Sequence, residues 1–170
     1  MLITSPSIIG NAKVTRPIFY YKDGEENPDI GNWTTTHAQH GGFAPYATTS
    51  GSMNADHIAI RATGDAATGG FSSRYARHTQ AVLLPDDHDT IELSYYCSHA
   101  GNGSLYCGVG TSYSGTQYAS SGLSKVIGAG TKVMTNPAMA GQNVYMFARA
   151  YAGQYGNAGL HVYSFKSYRA

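Results

Sequence analysis

Asp89-Thr90-Ile91-Glu92-Leu93-Ser94-Tyr95-Tyr96-Cys97-Ser98 sets Ile91, Leu93, Tyr95 and Cys97 at every second position against Glu92, Ser94 and Tyr96. A period of two belongs to an extended strand whose successive side chains leave on opposite faces, one buried and one wet. Ser104-Leu105-Tyr106-Cys107-Gly108-Val109 has the same period, with Leu105, Cys107 and Val109 together. Read as a hairpin, the two runs need an odd turn to bring their apolar faces to one side. Gly101-Asn102-Gly103 supplies it and sets Cys97 opposite Cys107. A bridge is within reach in a non-hydrogen-bonded pair. Two buried free thiols are the preferred reading, because no export signal points to an oxidising compartment.

Working outward, His57-Ile58-Ala59-Ile60-Arg61-Ala62 turns Ile58, Ile60 and Ala62 inward and His57 and Arg61 outward. Further strands are expected over 71–77, 79–84, 124–127 and 131–134, separated by Gly, Asp or Pro. Asn143 to Tyr151 alternates Val144, Met146, Ala148 and Ala150 against Tyr145, Phe147, Arg149 and Tyr151. Leu160 to Tyr168 sets Val162 against His161, Tyr163 and Phe165. Strands with bulk on both faces sit centrally or at an interface. Near the start, Ile18-Phe19-Tyr20-Tyr21 and Trp33-Thr34-Thr35-Thr36 are strands around a polar loop, and Trp33 reads as a core plug. The shared core is expected to hold Ile58, Ile60, Ile91, Leu93, Leu105, Val109, Val144 and Met146.

No stretch keeps a helical period, so the fold class is all-β: a jelly-roll β-sandwich of about ten short antiparallel strands. An up-and-down barrel would show evenly short turns, whereas 64–70 and 110–124 read as long return loops among tight hairpins. The domain spans 17–170. Residues 1–16, with Ile3, Ile8, Ile9 and Val14 but no alternation, read as an N-terminal arm or docking segment.

Eleven Lys and Arg against ten Asp and Glu in 170 residues give a net charge of +1 without a run of like charge, which argues against nucleic acid as a partner. Ser and Pro interrupt the opening ten residues before an apolar run could serve as a signal-peptide core or enter a bilayer, so no membrane insertion is expected.

Catalysis and cofactors are not expected. The glutamates are Glu25 and Glu26 in a loop and Glu92 on a strand, with no evident pairing across a sugar, and no nucleophile elbow occurs. His37 and His40, three apart, would need a turn to chelate a metal together. Asp86-Asp87-His88-Asp89 after Pro85 reads as a turn whose carboxylates bond the local backbone rather than as a calcium loop. The recognition-like composition lies in 110–122 and 151–159, loops of Tyr among Ser, Gly, Gln and Asn. Such a mix gives stiff aromatic contact area with adaptable hydrogen bonding. Tyr113, Tyr118, Tyr151 and Tyr155 are therefore the candidate ligand-binding residues.

The order of Ile18-Phe19-Tyr20-Tyr21-Lys22-Asp23-Gly24, Gly31-Asn32-Trp33, Asp56-His57-Ile58-Ala59-Ile60, Asp89–Tyr95, Ser104–Gly110, Pro137–Tyr145 and Leu160-His161-Val162-Tyr163 resembles the jelly-roll modules of tail, baseplate and minor structural proteins of tailed phages. That fold is shared with carbohydrate-binding modules. The resemblance covers 17–168 and brings no catalytic or metal residues. It implies a non-enzymatic virion component of tail, fibre or head, used for host-surface attachment or particle reinforcement. Its partners would be other virion proteins and a host-surface glycan, its assembly a homo-oligomer read as a trimer, and its location the virion after synthesis in the host cytoplasm. The alternative is a carbohydrate-binding module of a secreted glycan-degrading enzyme.

Overall fold

The computed structural model describes residues 15–20, 33–40, 48–54, 57–64, 71–112 and 117–170. These form β1 (Thr15–Tyr20), β2 (Trp33–His40), β3 (Thr48–Met53), β4 (Ile58–Thr63), β5 (Phe71–His78), β6 (Val82–Leu83), β7 (Thr90–Ala100), β8 (Gly103–Gly110), β9 (Gln117–Gly122), β10 (Gly128–Thr135), β11 (Asn143–Ala152) and β12 (Asn157–Tyr168). All pair antiparallel, in two sheets. The first runs β10-β7-β12-β4-β3, with β1 continuing along β12; the second runs β2-β5-β11-β8-β9, with β6 continuing along β11. Among the described strands only the β3–β4, β5–β6 and β8–β9 connections stay within one sheet, the crossing pattern of a jelly-roll sandwich.

The alternation read from the sequence fills the space between the sheets. Ile58, Ile60, Ile91, Leu93, Leu105, Val109, Val144 and Met146 are all buried, as is Trp33, which stacks on Phe165 at 5.3 Å and leans on His78 at 4.4 Å. The double-faced strands β11 and β12 are central in their sheets.

Several local expectations are corrected. β7 and β8 are not a ladder pair: β7 belongs to the first sheet and β8 to the second, so the link at 101–102 turns a corner of the sandwich. Cys97 lies beside Gly128 and Leu160, Cys107 beside Ala148 and Ser121, and both are buried free thiols. In β12 a bulge between Val162 and Ser164 shifts the alternation and turns Phe165 into the core rather than onto the His161 face. Residues 124–127 are a loop, whereas 117–122, read as loop, form edge strand β9; only Val82–Leu83 of the run 79–84 is strand. Of the expected arm, 1–14 lies outside the described residues, and Thr15 and Arg16 begin β1.

One half-buried charge faces the opposite sheet. Arg74 of β5 reaches Thr35 Oγ1 at 2.7 Å, and a Cβ at Gly51 would fall 2.6 Å from its Nε. Burial lowers its pKa.

Candidate functional site

Because Val144, Met146, Ala148, Ala150 and Ala152 of β11 point into the core, Tyr145, Phe147, Arg149 and Tyr151 must stand on the outer face of the second sheet. Strand order gives them neighbours. Arg149 is flanked by Tyr75 of β5 and Tyr106 of β8, Tyr151 by Ser73 and Ser104, and Phe147 by Arg77 and Gly108. Beyond β8, β9 sets Ser120 beside Gly108.

Arg149 organises the patch. Its Nη2 and Nε donate to Ser73 Oγ at 2.7 and 3.2 Å, and its guanidinium carbon lies 5.3 Å from the Tyr75 ring centroid and 5.2 Å from that of Tyr151. Such cation–π contacts are worth about 0.5–2 kcal/mol each, enough to hold the rings in place. Phe147 meets Tyr75 at 6.3 Å and lies against Gly108, where a Cβ would come within 2.5 Å of its ring. The result is an open groove of about 420 Å³ lined by Tyr75, Tyr106, Phe147, Arg149 and Tyr151, with Ser104 and Ser120. That volume falls in the range of about 300–1,000 Å³ usual for small-ligand sites. Aromatic faces there can take the apolar face of a ring, while the hydroxyls and guanidinium bond its polar edge.

Of the four tyrosines singled out by composition, Tyr151 borders this groove. Tyr118, on β9, is half-buried and packs against the core, and its carbonyl accepts from Asn136 Nδ2. Tyr155 is 68% exposed on the turn between β11 and β12, at φ 60°. Asn102 braces that turn, accepting from Gly153 N at 3.1 Å and donating to Gln154 O at 2.9 Å. Tyr113 lies outside the described residues. Composition did not single out Tyr75, Tyr106, Phe147 or Arg149; the signal for the last two was the bulk on both faces of 143–151.

The outer face of the first sheet is more polar. His57 and His161 stack at 4.3 Å, with Tyr96 and Tyr163 each 5.8 Å from one of them. A shallower groove of about 270 Å³ beside them is lined by Ser50, Ser52, Arg61, Ser98, His99 and His161. Burial, aided by Arg61, lowers the His99 pKa. In the Asp86–Asp89 turn, His88 N–H donates to Pro85 O, and Asp89 Oδ1 accepts from Thr90 Oγ1 at 2.9 Å and Ala170 N at 3.0 Å. His37 and His40 lie within β2, three residues apart.

No family model matches the sequence, and no curated protein is similar to it. Solved structures are similar in architecture. The family 11 carbohydrate-binding module from Clostridium thermocellum in complex with a β-1,3-1,4-mixed-linked tetrasaccharide has 13% identity over 89% of this chain and 95% of that one, with a TM-score of 0.49. TmCBM61 in complex with β-1,4-galactotriose has 12% identity over 83% of this chain and 90% of that one, with a TM-score of 0.46. The enzymatically active domain of bacteriophage CBA120 tailspike protein 4 has 10% identity over 82% of this chain but only 20% of that one, with a TM-score of 0.48.

Proposed function

We propose that the protein is a non-catalytic glycan-binding module that takes a saccharide across the outer face of β5, β11, β8 and β9. The observation that carries this reading is the groove in which Tyr75, Tyr106, Phe147 and Tyr151 surround Arg149. Rigid rings and a pre-positioned donor lose little freedom on binding, which suits a weakly apolar ligand rich in hydroxyls. Glycoside hydrolysis needs two carboxyl groups about a saccharide, and β2, β5, β6, β8, β9 and β11 contain no Asp or Glu. A glycan array probed with the parent, Tyr75→Ala and Tyr106→Ala tests the reading. The parent is expected to bind, and each variant to lose about 2 kcal/mol, roughly thirtyfold in affinity. Unchanged binding in both folded variants would take the site away from this face.

The same activity serves a module of a secreted glycan-degrading enzyme or a virion part that contacts the host surface. Exposed Val126, Ile127 and Val133, beside and on end strand β10, favour the virion reading, because such apolar groups next to a sheet edge suit cover by a neighbouring subunit. On that reading the chain is a trimer, and Val126→Ser with Ile127→Ser dissociates it in light scattering. A monomeric parent favours the secreted module.

A further inference from the structure

We infer that the groove of the second sheet selects acidic saccharides, in which a uronate carboxylate pairs with Arg149. This rests on the glycan-binding reading and adds the ligand class. The second sheet carries Arg74, Arg77 and Arg149 and no Asp or Glu in any of its described strands. Arg74 is half-buried and faces the opposite sheet, bonded to Thr35. On the outer face, Arg77 and Arg149 flank Tyr75 along the β5–β11 ladder. Among the described residues that line the groove, Arg149 is the sole charged group.

The geometry of Arg149 points the same way. One edge of the guanidinium, Nε with Nη2, is held by Ser73 Oγ, and its central carbon lies 5.3 Å from the Tyr75 ring centroid and 5.2 Å from that of Tyr151. The other edge, Nη1 with the second Nη2 hydrogen, has no protein partner among the described residues. Two parallel N–H groups in one plane match the two oxygens of a carboxylate. A saccharide laid over the groove strips water from this cation. A neutral sugar leaves the charge only partly compensated, whereas a uronate replaces the lost water with an opposite charge. Tyr75 and Tyr151 fix the orientation of the fork, so little freedom is lost when the pair forms.

Calorimetric titration of the full chain with oligogalacturonate, oligomannuronate and a glucuronate-bearing oligosaccharide, each against its carboxyl-reduced form, tests this. At least one acid form is expected to bind about tenfold or more tightly than its reduced partner, with the gap narrowing between about 50 and about 500 mM NaCl as screening grows. Arg149→Gln is expected to erase the gap while the protein stays folded. If that variant does not fold, Arg149→Lys, which keeps the charge but loses the planar fork, is expected to weaken the acid form several-fold. Equal affinity for acid and reduced forms, or a preference that survives loss of the fork, overturns the inference and leaves saccharide binding standing. Silence toward every uronate alongside binding of a neutral glycan overturns it as well. Silence toward all saccharides removes the glycan reading beneath it.

Discussion

Phe147 occupies the space that a side chain at residue 108 would need: a Cβ on Gly108 would lie 2.5 Å from both Cε1 and Cζ of the ring. The wall of the groove is thus set by the absence of one carbon on the neighbouring strand.

Gly108→Ala is therefore expected to displace Phe147 and cost about 1–3 kcal/mol, the usual range for overpacking, with saccharide affinity falling alongside. Gly122→Ala, where nothing lies within 4 Å of the added carbon, is the control and should stay within about 0.5 kcal/mol of the parent. Urea unfolding of the two variants measures the contrast.

His88 Nδ1 and Ser167 Oγ are 2.8 Å apart, and both residues are buried. Ser167→Ala leaves a ring nitrogen without this partner away from water, and a loss of about 1–3 kcal/mol is expected in thermal or urea unfolding. An unchanged midpoint would mean that water reaches the imidazole.

Trp33 is the chain's sole tryptophan and is stacked on Phe165 inside the sandwich. Its emission should be blue-shifted and resistant to acrylamide in the native protein, and both properties should vanish in one transition on unfolding. Trp33→Ala is expected to cost about 3–5 kcal/mol.

Burial pushes the Cys107 thiol from 9.0 up to about 12, and its Sγ points at Ser121 O and Met134 Sδ. Cys97 is raised too, chiefly by burial. Both should resist an aromatic disulfide reagent until the protein unfolds. For a thiol with a raised folded-state pKa, the unfolded chain releases its proton first. Stability is then intact below about pH 9 and falls toward about pH 12, by at most about 1.4 kcal/mol per pH unit from Cys107. Cys107→Ala, compared by urea unfolding across that range, should flatten this part of the fall. An identical slope in the two proteins would remove Cys107 as its source.

The core was legible because alternation reports which side of a strand is buried, and Ile60, Leu93 and Val144 needed nothing more. It does not report which sheet a strand joins. Thus β7 and β8 read as a hairpin, since a corner and a tight turn leave the same pattern around Gly101-Asn102. Edge strand β9 was hidden because Gln117-Tyr118-Ala119-Ser120-Ser121-Gly122 buries little and carries a register shift against β8. Phe165 was assigned to the wrong face because one extra residue in β12 inverts everything after it. As for the groove, Phe147, Arg149 and Tyr151 stood out as bulk on one strand, but Tyr75 and Tyr106 are remote in sequence. Only the order β5-β11-β8 brings them to either side of Arg149.

β12 lies in the interior of its sheet, yet follows in the chain every strand that it pairs with: β1, β4 and β7. On the ribosome, those three strands emerge with exposed edges and no template between them, and the first sheet cannot close until residue 168 has been released. Folding is then expected to be late and all-or-none rather than progressive, with slow non-local pairing. A chain stopped before Asn157 would display the unpaired edges of β1, β4 and β7 at once, the condition under which such intermediates join to one another.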